Sequence, residues 1–437
     1  MSTSANEPKE EPVEEPKEPE LNRLLAAALD QIDITQYPNV RMTFPDALRS
    51  TDLDVWWGAS NQLHQLASGV RDALVRDSRF VGEEVRMMRG GLGGGFGFYP
   101  NFVDQHLIRR AVMTGSVEGA IQWLKKVLGS TEATGKLVLL LWGVPVARAI
   151  ELTDDVAIVP FDSLPESDQK RLVNERTHRM GDGLVVSALD FIPPTSALVM
   201  KRRLAPIIYD PASVEHDNDD YIRRYELLRE IALVLTLVGP RVSLPSLLWF
   251  EFDDPDFDLG AARMTPATEI VPTRHVEYPI LDPDDATALV RAYLQLPAAL
   301  RLHIGVAIER INLAQRRGNV GDRAVELATA LETLVGDNDK SEMTHKVKVR
   351  TVRLLGGSTD ERLANAAMLS KAYSIRSSMV HTGRVDAQRT ETVSGVRVPV
   401  SDIVDRALAL CVKLATVIIR RGDIPDWRVF DISERLS

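Results

Sequence analysis

DPDDATALVRAYL, residues 282–294, divides this chain into two kinds of sequence. Its first residues read as a helix start. Asp282 can cap with its carboxylate, Pro283 suits a first helical position whose N–H would go unpaired anyway, and Asp284 and Asp285 favour the positive end of the helix dipole. Downstream, apolar residues recur at helical spacing. The pattern predicts helices near 284–295, 298–317, 320–336, 343–355, 361–381 and 402–421. Upstream the period changes. KLVLLLWGVPVARAIELTDDVAIVPF (136–161) reads as strands with Thr153-Asp154-Asp155 as a turn, and TSALVMKRRLAPIIYD (195–210) and LLWFEF (247–252) read as further strands. Residues 220–238 suit a helix that stops at Gly239-Pro240. The expected fold is multidomain: an N-terminal α+β region over 21–281, helical to about 128 and mixed from 129, followed by an all-α bundle over 282–437.

The length of 437 residues is enough for two or three cores. Residues 1–20 are Pro, Glu and Lys with almost nothing apolar, and such a segment cannot offset its ordering entropy by burial, so disorder is expected there. The longest apolar run, Leu137 to Ala147, falls short of the roughly 20 residues a membrane span needs. No basic-then-apolar signal pattern opens the sequence. The single cysteine, Cys411, sits among apolar residues and cannot form an internal disulfide, which fits a packed thiol and a reducing cytoplasm.

A formal charge of −10 argues at first against nucleic acid. The distribution changes that reading. Residues 297–437 hold 22 Lys and Arg against 17 Asp and Glu, so the C-terminal part is net positive by 5 and the rest carries −15. Local affinity for a polyanion follows the local balance.

Several familiar chemistries are missing. RGGLGGGFGFYP (89–100) satisfies no G-x-G-x-x-G register and no Gly-Lys-Ser/Thr follows, so it reads as a loop or tight turn instead of a phosphate cradle. The acidic EFDDPDFD (251–258) lacks calcium-loop spacing and reads as a solvated turn. None of the eight histidines forms H-E-x-x-H or pairs with the cysteine, and there is no G-x-S-x-G, so neither a metal nor a cofactor is expected.

One short arrangement remains: Tyr373-Ser374-Ile375-Arg376-Ser377-Ser378-Met379-Val380-His381-Thr382-Gly383. Arg, four residues, then His near a helix end resembles the signature of HEPN domains. About 40 residues upstream, Asp322 to Leu334 (DRAVELATALETL) is similar to the Ala-Leu-Glu-x-Leu helix of the Apea-like group. Ser341 to Arg350 (SEMTHKVKVR), with Leu354-Leu355 after it, is similar to that group's middle helix, and ARAIELTDDVAIVPFDSLP resembles, less specifically, segments found upstream of such domains. The resemblance covers about a third of the chain. It implies a helical homodimer that cleaves RNA, with paired motifs facing one cleft, and a role in phage defence or toxin-like growth arrest. The N-terminal region would then answer a phage-derived or cellular trigger. Some members are non-catalytic and serve as dimerisation or RNA-binding adaptors.

The residue types suit phosphodiester cleavage without a metal. The RNA 2′-OH is the nucleophile, His381 can exchange protons near neutral pH, and the always-charged fork of Arg376 can hold phosphate oxygens. Such cleavage leaves a 2′,3′-cyclic phosphate and a 5′-OH. Ser377 can donate to phosphate or fix the arginine. Glu332 can orient Arg376 or Tyr373, or stand as a solvated helix residue. Lys346, Lys348 and Arg350 can meet RNA phosphates or form a solvated face. Residues five apart on an α-helix are rotated by about 140°, so Arg376 and His381 do not share one helical face. A distorted last turn, the length of arginine, or a groove shared by two copies can reconcile them.

Overall fold

The computed structural model describes residues 18–32, 53–77, 80, 86–178, 194–212, 218–239, 241–257, 265–266, 277–337 and 341–433. The expected disorder of residues 1–20 falls outside these up to residue 17, whereas Glu18, Pro19 and Glu20 already belong to the first helix, Glu18–Gln31. The chain forms two compact units.

The first unit comprises Met1–Gly135, Arg203–Asp219 and Phe252–Ala261. Helices Glu18–Gln31, Leu53–Val75, Pro100–Thr114 and Val117–Gly129 bury apolar stripes against one another, Leu25, Leu74, Leu107 and Leu124 among them. The break near Gly115 is real. Gly115 closes its helix in the left-handed conformation, and Ser116 caps the next by accepting from the Gly119 N–H. The glycine-rich stretch is the turn and second strand of a hairpin. Met87–Arg89 pairs antiparallel with Gly95–Gly97, Ile208–Tyr209 pairs on the other side, and the Gly90 N–H closes the turn on the Gly94 carbonyl at 2.9 Å. Glycine and phenylalanine alternate there without β-branched residues, which hides the strand from a propensity reading. The EFDDPDFD carboxylates are also not simply solvated. Asp256 pairs with Arg110 at 2.6 Å and with Lys126 at 2.7 Å, and Asp254 pairs with Lys126 at 2.6 Å.

The second unit comprises Lys136–Arg202, Asp220–Glu251 and Ala262–Ser437. It holds a six-stranded sheet in the order Ile150–Glu151, Val156–Pro160, Ser196–Leu204, Ala133–Trp142, Leu244–Phe252, Thr265–Pro266. The inner strand Ala133–Trp142 buries Leu137 to Leu141 without alternation, as a strand covered on both faces does. Val138, Leu140, Phe161, Ala197 and Trp249 share one core cluster. The turn before Val156–Pro160 is held by Thr153, whose hydroxyl accepts from the Val156 N–H at 3.0 Å. The strand Ala133–Trp142 is followed by Gly143 at φ 77, where a Cβ would lie 2.1 Å from the Val242 carbonyl oxygen. Gly143→Ala should therefore destabilise the unit by at least about 2 kcal/mol, from the left-handed backbone and a backbone clash together, read as a lower urea midpoint.

The helix predicted at Asp282 is Pro283–Leu294, and the Asp282 carboxylate accepts from the Asp285 N–H. It is not a seam between units. Helix Ala298–Arg316 sends Asn312 into buried hydrogen bonds with the Thr236 hydroxyl and the Ser243 carbonyl, both 2.8 Å, and the Arg291 guanidinium donates to the Leu152 carbonyl. The helical part continues the unit that contains the sheet because these polar anchors join them.

Helices Val320–Val335, Met343–Leu355, Thr359–Thr382, Val400–Arg421 and Trp427–Ile432 complete this unit. The expectation of an all-α C-terminal part needs correction. Thr390–Val393 and Val396–Pro399 form an antiparallel hairpin, turned at Ser394 and Gly395 with φ 50 and 85.

Candidate active site

Two helices build the site. Val320–Val335 starts at Asn319, whose side chain accepts from the N–H groups of Gly321 and Asp322. Thr359–Thr382 starts with a capping box between Ser358 and Glu361. They run antiparallel: Gly321 lies against Met379, and Glu332 lies against Tyr373. Cys411 lies fully buried in Val400–Arg421 beside them, and burial pushes its thiol pKa up, so it is a packed neutral thiol.

The Tyr373 hydroxyl donates to Glu332 Oε1 at 3.3 Å. Burial and the negative charge of Glu332 push the phenol pKa up, against the opposing positive charge of Arg376. Tyr373 is therefore a fixed neutral donor and no proton acceptor near neutral pH. Of the alternatives open to Glu332, the one present is the contact with Tyr373. Ser377 is half-buried, and no hydrogen bond joins it to Arg376.

Arg376 is half-buried and His381 exposed, and neither makes a hydrogen bond or ion pair with the described residues. The helix that carries them stays regular. It runs through Thr382, whose hydroxyl donates to the Ser378 carbonyl at 2.7 Å. It ends at left-handed Gly383, whose N–H reaches the Met379 carbonyl. The distorted last turn, one of three ways to bring the pair together, is thus absent. A separation of about 140° stands between the two side chains' helical faces.

The middle helix behaves differently from its sequence reading. Arg350 is buried, 2% exposed, and is no candidate for RNA. Its Nε and Nη2 donate to Asp431, the latter at 2.6 Å, while Nη2 also reaches Asp337 at 2.7 Å and Nη1 the Val335 carbonyl at 2.8 Å. Its guanidinium lies 4.8 Å from the Trp427 ring centroid. Lys346 pairs with Asp337 at 2.9 Å. Lys348 is half-buried and makes no hydrogen bond or ion pair with the described residues. What looks in sequence like a basic face is mostly a clasp for the C-terminal helix Trp427–Ile432.

The clasp has a pH signature. Hydrogen bonds from Arg350 and then Lys346 hold the Asp337 carboxyl below its ordinary value of 3.8. A depressed carboxylate pKa contributes stability that is present above the unfolded value and is lost as pH falls through the folded one. Protection of the Trp427–Ile432 amides against hydrogen exchange, taken relative to the intrinsic rate at each pH, should be high at pH 6 and fall as pH drops below about 4. Protection factors unchanged down to pH 2 would show that Asp337 does not hold the clasp.

Elsewhere, His106 has its pKa lowered to about 4 by burial and then by Arg109 and Arg110. No described carboxylate is hydrogen-bonded to it, so the first unit shows no acid–base pair there. Among the described residues no group of three or more His, Cys, Asp and Glu is gathered as metal ligands, and no helix is long and apolar enough to cross a membrane.

Comparison with protein-family models, with curated proteins and with solved structures gives no match.

Proposed function

We propose that this chain is a HEPN-type endoribonuclease that needs no metal and cuts RNA by 2′-OH attack, with Arg376 and His381 as its catalytic residues. The observation that carries the reading is their availability. A half-buried arginine and an exposed histidine stand on the last two turns of one helix, without an ion-pair partner among the described residues. A guanidinium that is buried and neutralised by carboxylates, as Arg350 is, is out of reach of a phosphate.

Cleavage proceeds by proton transfer. The His381 imidazole takes the 2′-OH proton as the oxygen attacks phosphorus, and the imidazolium so formed gives a proton to the departing 5′-oxygen. Arg376 holds the non-bridging oxygens as charge builds on them. The Tyr373–Glu332 pair fixes the helix one turn before Arg376. Since the helix is regular, one copy offers the pair from different faces, and a homodimer that closes the two helix ends on one groove supplies both groups to one phosphate. The N-terminal region then gates the cleft in response to a phage-derived or cellular trigger in the cytoplasm, in keeping with antiviral defence or a toxin-like role.

Pure protein should cut single-stranded RNA in EDTA and spare DNA of the same sequence, which lacks the 2′-OH. A mixing experiment tests the shared groove. Arg376→Ala and His381→Ala proteins, each inactive, should regain about a quarter of the normal rate when exchanged together, because half of the dimers then hold one intact arginine–histidine pair where the unsubstituted dimer holds two. No recovery in proven heterodimers would place both groups within one copy.

The regular helix also favours one other reading, a non-catalytic dimerisation or RNA-binding adaptor. Under it, RNA stays uncut even with the trigger present.

A further inference from the structure

We propose that residues 384–399, the connection after Gly383 and the hairpin that follows it, form a cationic arm that grips the phosphate backbone of single-stranded RNA beside the helix end. The inference rests on the nuclease reading and adds to it a binding surface.

The charge on this segment is unbalanced by structure more than by composition. Residues 384–399 hold three arginines, Arg384, Arg389 and Arg397, against Asp386 and Glu391. Both carboxylates are engaged locally. Asp386 accepts from the Gln388 N–H at 2.9 Å and so belongs to its own turn. Glu391 is shared between Arg389 and Lys371, the latter at 3.3 Å, and these two cations hold its carboxyl below the ordinary range. Arg384 and Arg397 are left exposed and make no ion pair with the described residues.

The arm is also held in place. The Lys371–Glu391 pair ties the hairpin to helix Thr359–Thr382, the Val400 N–H donates to the Arg389 carbonyl at 2.9 Å, and Val393 is buried. Arg397 donates through Nε and Nη2 to the Thr390 hydroxyl at 3.0 and 2.7 Å, which extends the side chain along the hairpin and leaves Nη1 free of described partners. Arg384 is three residues past His381, and the Thr382 hydroxyl lies 3.0 Å from its carbonyl. One cation is therefore carried at the helix end, and another is held along the hairpin.

The ligand class follows from what the arm lacks. Residues 376–400 contain no Phe, Trp or Tyr on which a base could stack. With no aromatic platform, arginines among Thr390, Thr392, Ser394 and Gly395 favour phosphate over stacked bases, so binding should tolerate many sequences and weaken steeply with salt.

The test uses full-length protein and a fluorescein-labelled 2′-O-methyl oligouridylate, which binds but offers no 2′-OH for attack. Anisotropy titrations across a salt series give Kd and its slope. Arg384→Ala/Arg397→Ala should raise Kd on the order of fivefold to tenfold at low salt and flatten the slope of log K against log salt by about 1.4, two single-strand phosphate contacts at about 0.7 each. Arg384→Lys/Arg397→Lys should keep the native slope, since a point charge serves a phosphate, and it guards against a folding artefact. Unchanged Kd and slope in the alanine variant would overturn the proposal, as would tighter binding of polyglutamate than of the oligouridylate. The arm and the nuclease fail separately: loss of cleavage with this binding intact indicts Arg376 and His381, and cleavage with binding indifferent to Arg384 and Arg397 indicts the arm.

Discussion

His381→Ala is expected to lower RNA cleavage by about 10²–10⁴-fold, the usual contribution of a positioned acid–base group. The loss should fall on kcat, because an exposed imidazole with no described partner contributes little to ground-state binding or to the fold. Arg376→Ala should cost about 10²–10³-fold through the lost stabilisation of charge on phosphorus. Arg376→Lys keeps the charge but not the planar fork, and should recover only part of that activity. Both variants should show the native circular dichroism spectrum. A rate within twofold of the unsubstituted protein for either alanine variant would remove that residue from the site.

Arg350→Met is expected to give the second largest effect, on stability. The substitution deletes five hydrogen-bonding contacts to Asp431, Asp337 and the Val335 carbonyl, and the cation over Trp427. Removing one partner of a fully buried ion pair costs about 3–5 kcal/mol. Here the carboxylates of Asp337 and Asp431 are 28% and 37% exposed, so water recovers part of their solvation and about 2–3 kcal/mol is expected. Arg353, 4.5 Å from the Phe430 ring centroid and donating to the carbonyls of Asp431 and Ser433, holds the same short helix and limits the damage. The checks are a lower urea midpoint and faster hydrogen exchange over Met343–Leu355 and Trp427–Ile432. A midpoint unchanged within error would mean that the clasp only orders the terminus and does not support the bundle.

Legibility in the sequence followed the range of the forces involved. The helix start at Asp282 and Pro283 and the turn at Thr153 depend on groups within four residues, and both stand where the residues place them. The buried strand around Leu137–Leu141 is equally plain, since a continuous apolar run needs cover on both faces. The hairpin at 390–399 escapes a reading tuned to helical period, although Ser394-Gly395 between alternating valines carries a turn signal. Helix Trp427–Ile432 is too short to show a period, and its anchor is an arginine 81 residues before Asp431. That distance is why Arg350 reads as one member of a basic face. Asn312 likewise looks like an ordinary helix residue until its buried partners Thr236 and Ser243 appear. At the site, residue types and spacing are visible in Arg376 and His381. Their availability is not, because it depends on which carboxylates the fold brings near.

The ends of the cut RNA report the chemistry most directly. RNA incubated with the pure protein in EDTA should carry a 2′,3′-cyclic phosphate on one fragment and a 5′-hydroxyl on the other, resolved by mass spectrometry, and His381→Ala protein should leave the same RNA whole. Fragments with 3′-hydroxyl and 5′-phosphate ends, or the same cyclic ends at full yield from the His381→Ala protein, would contradict the role given to this imidazole.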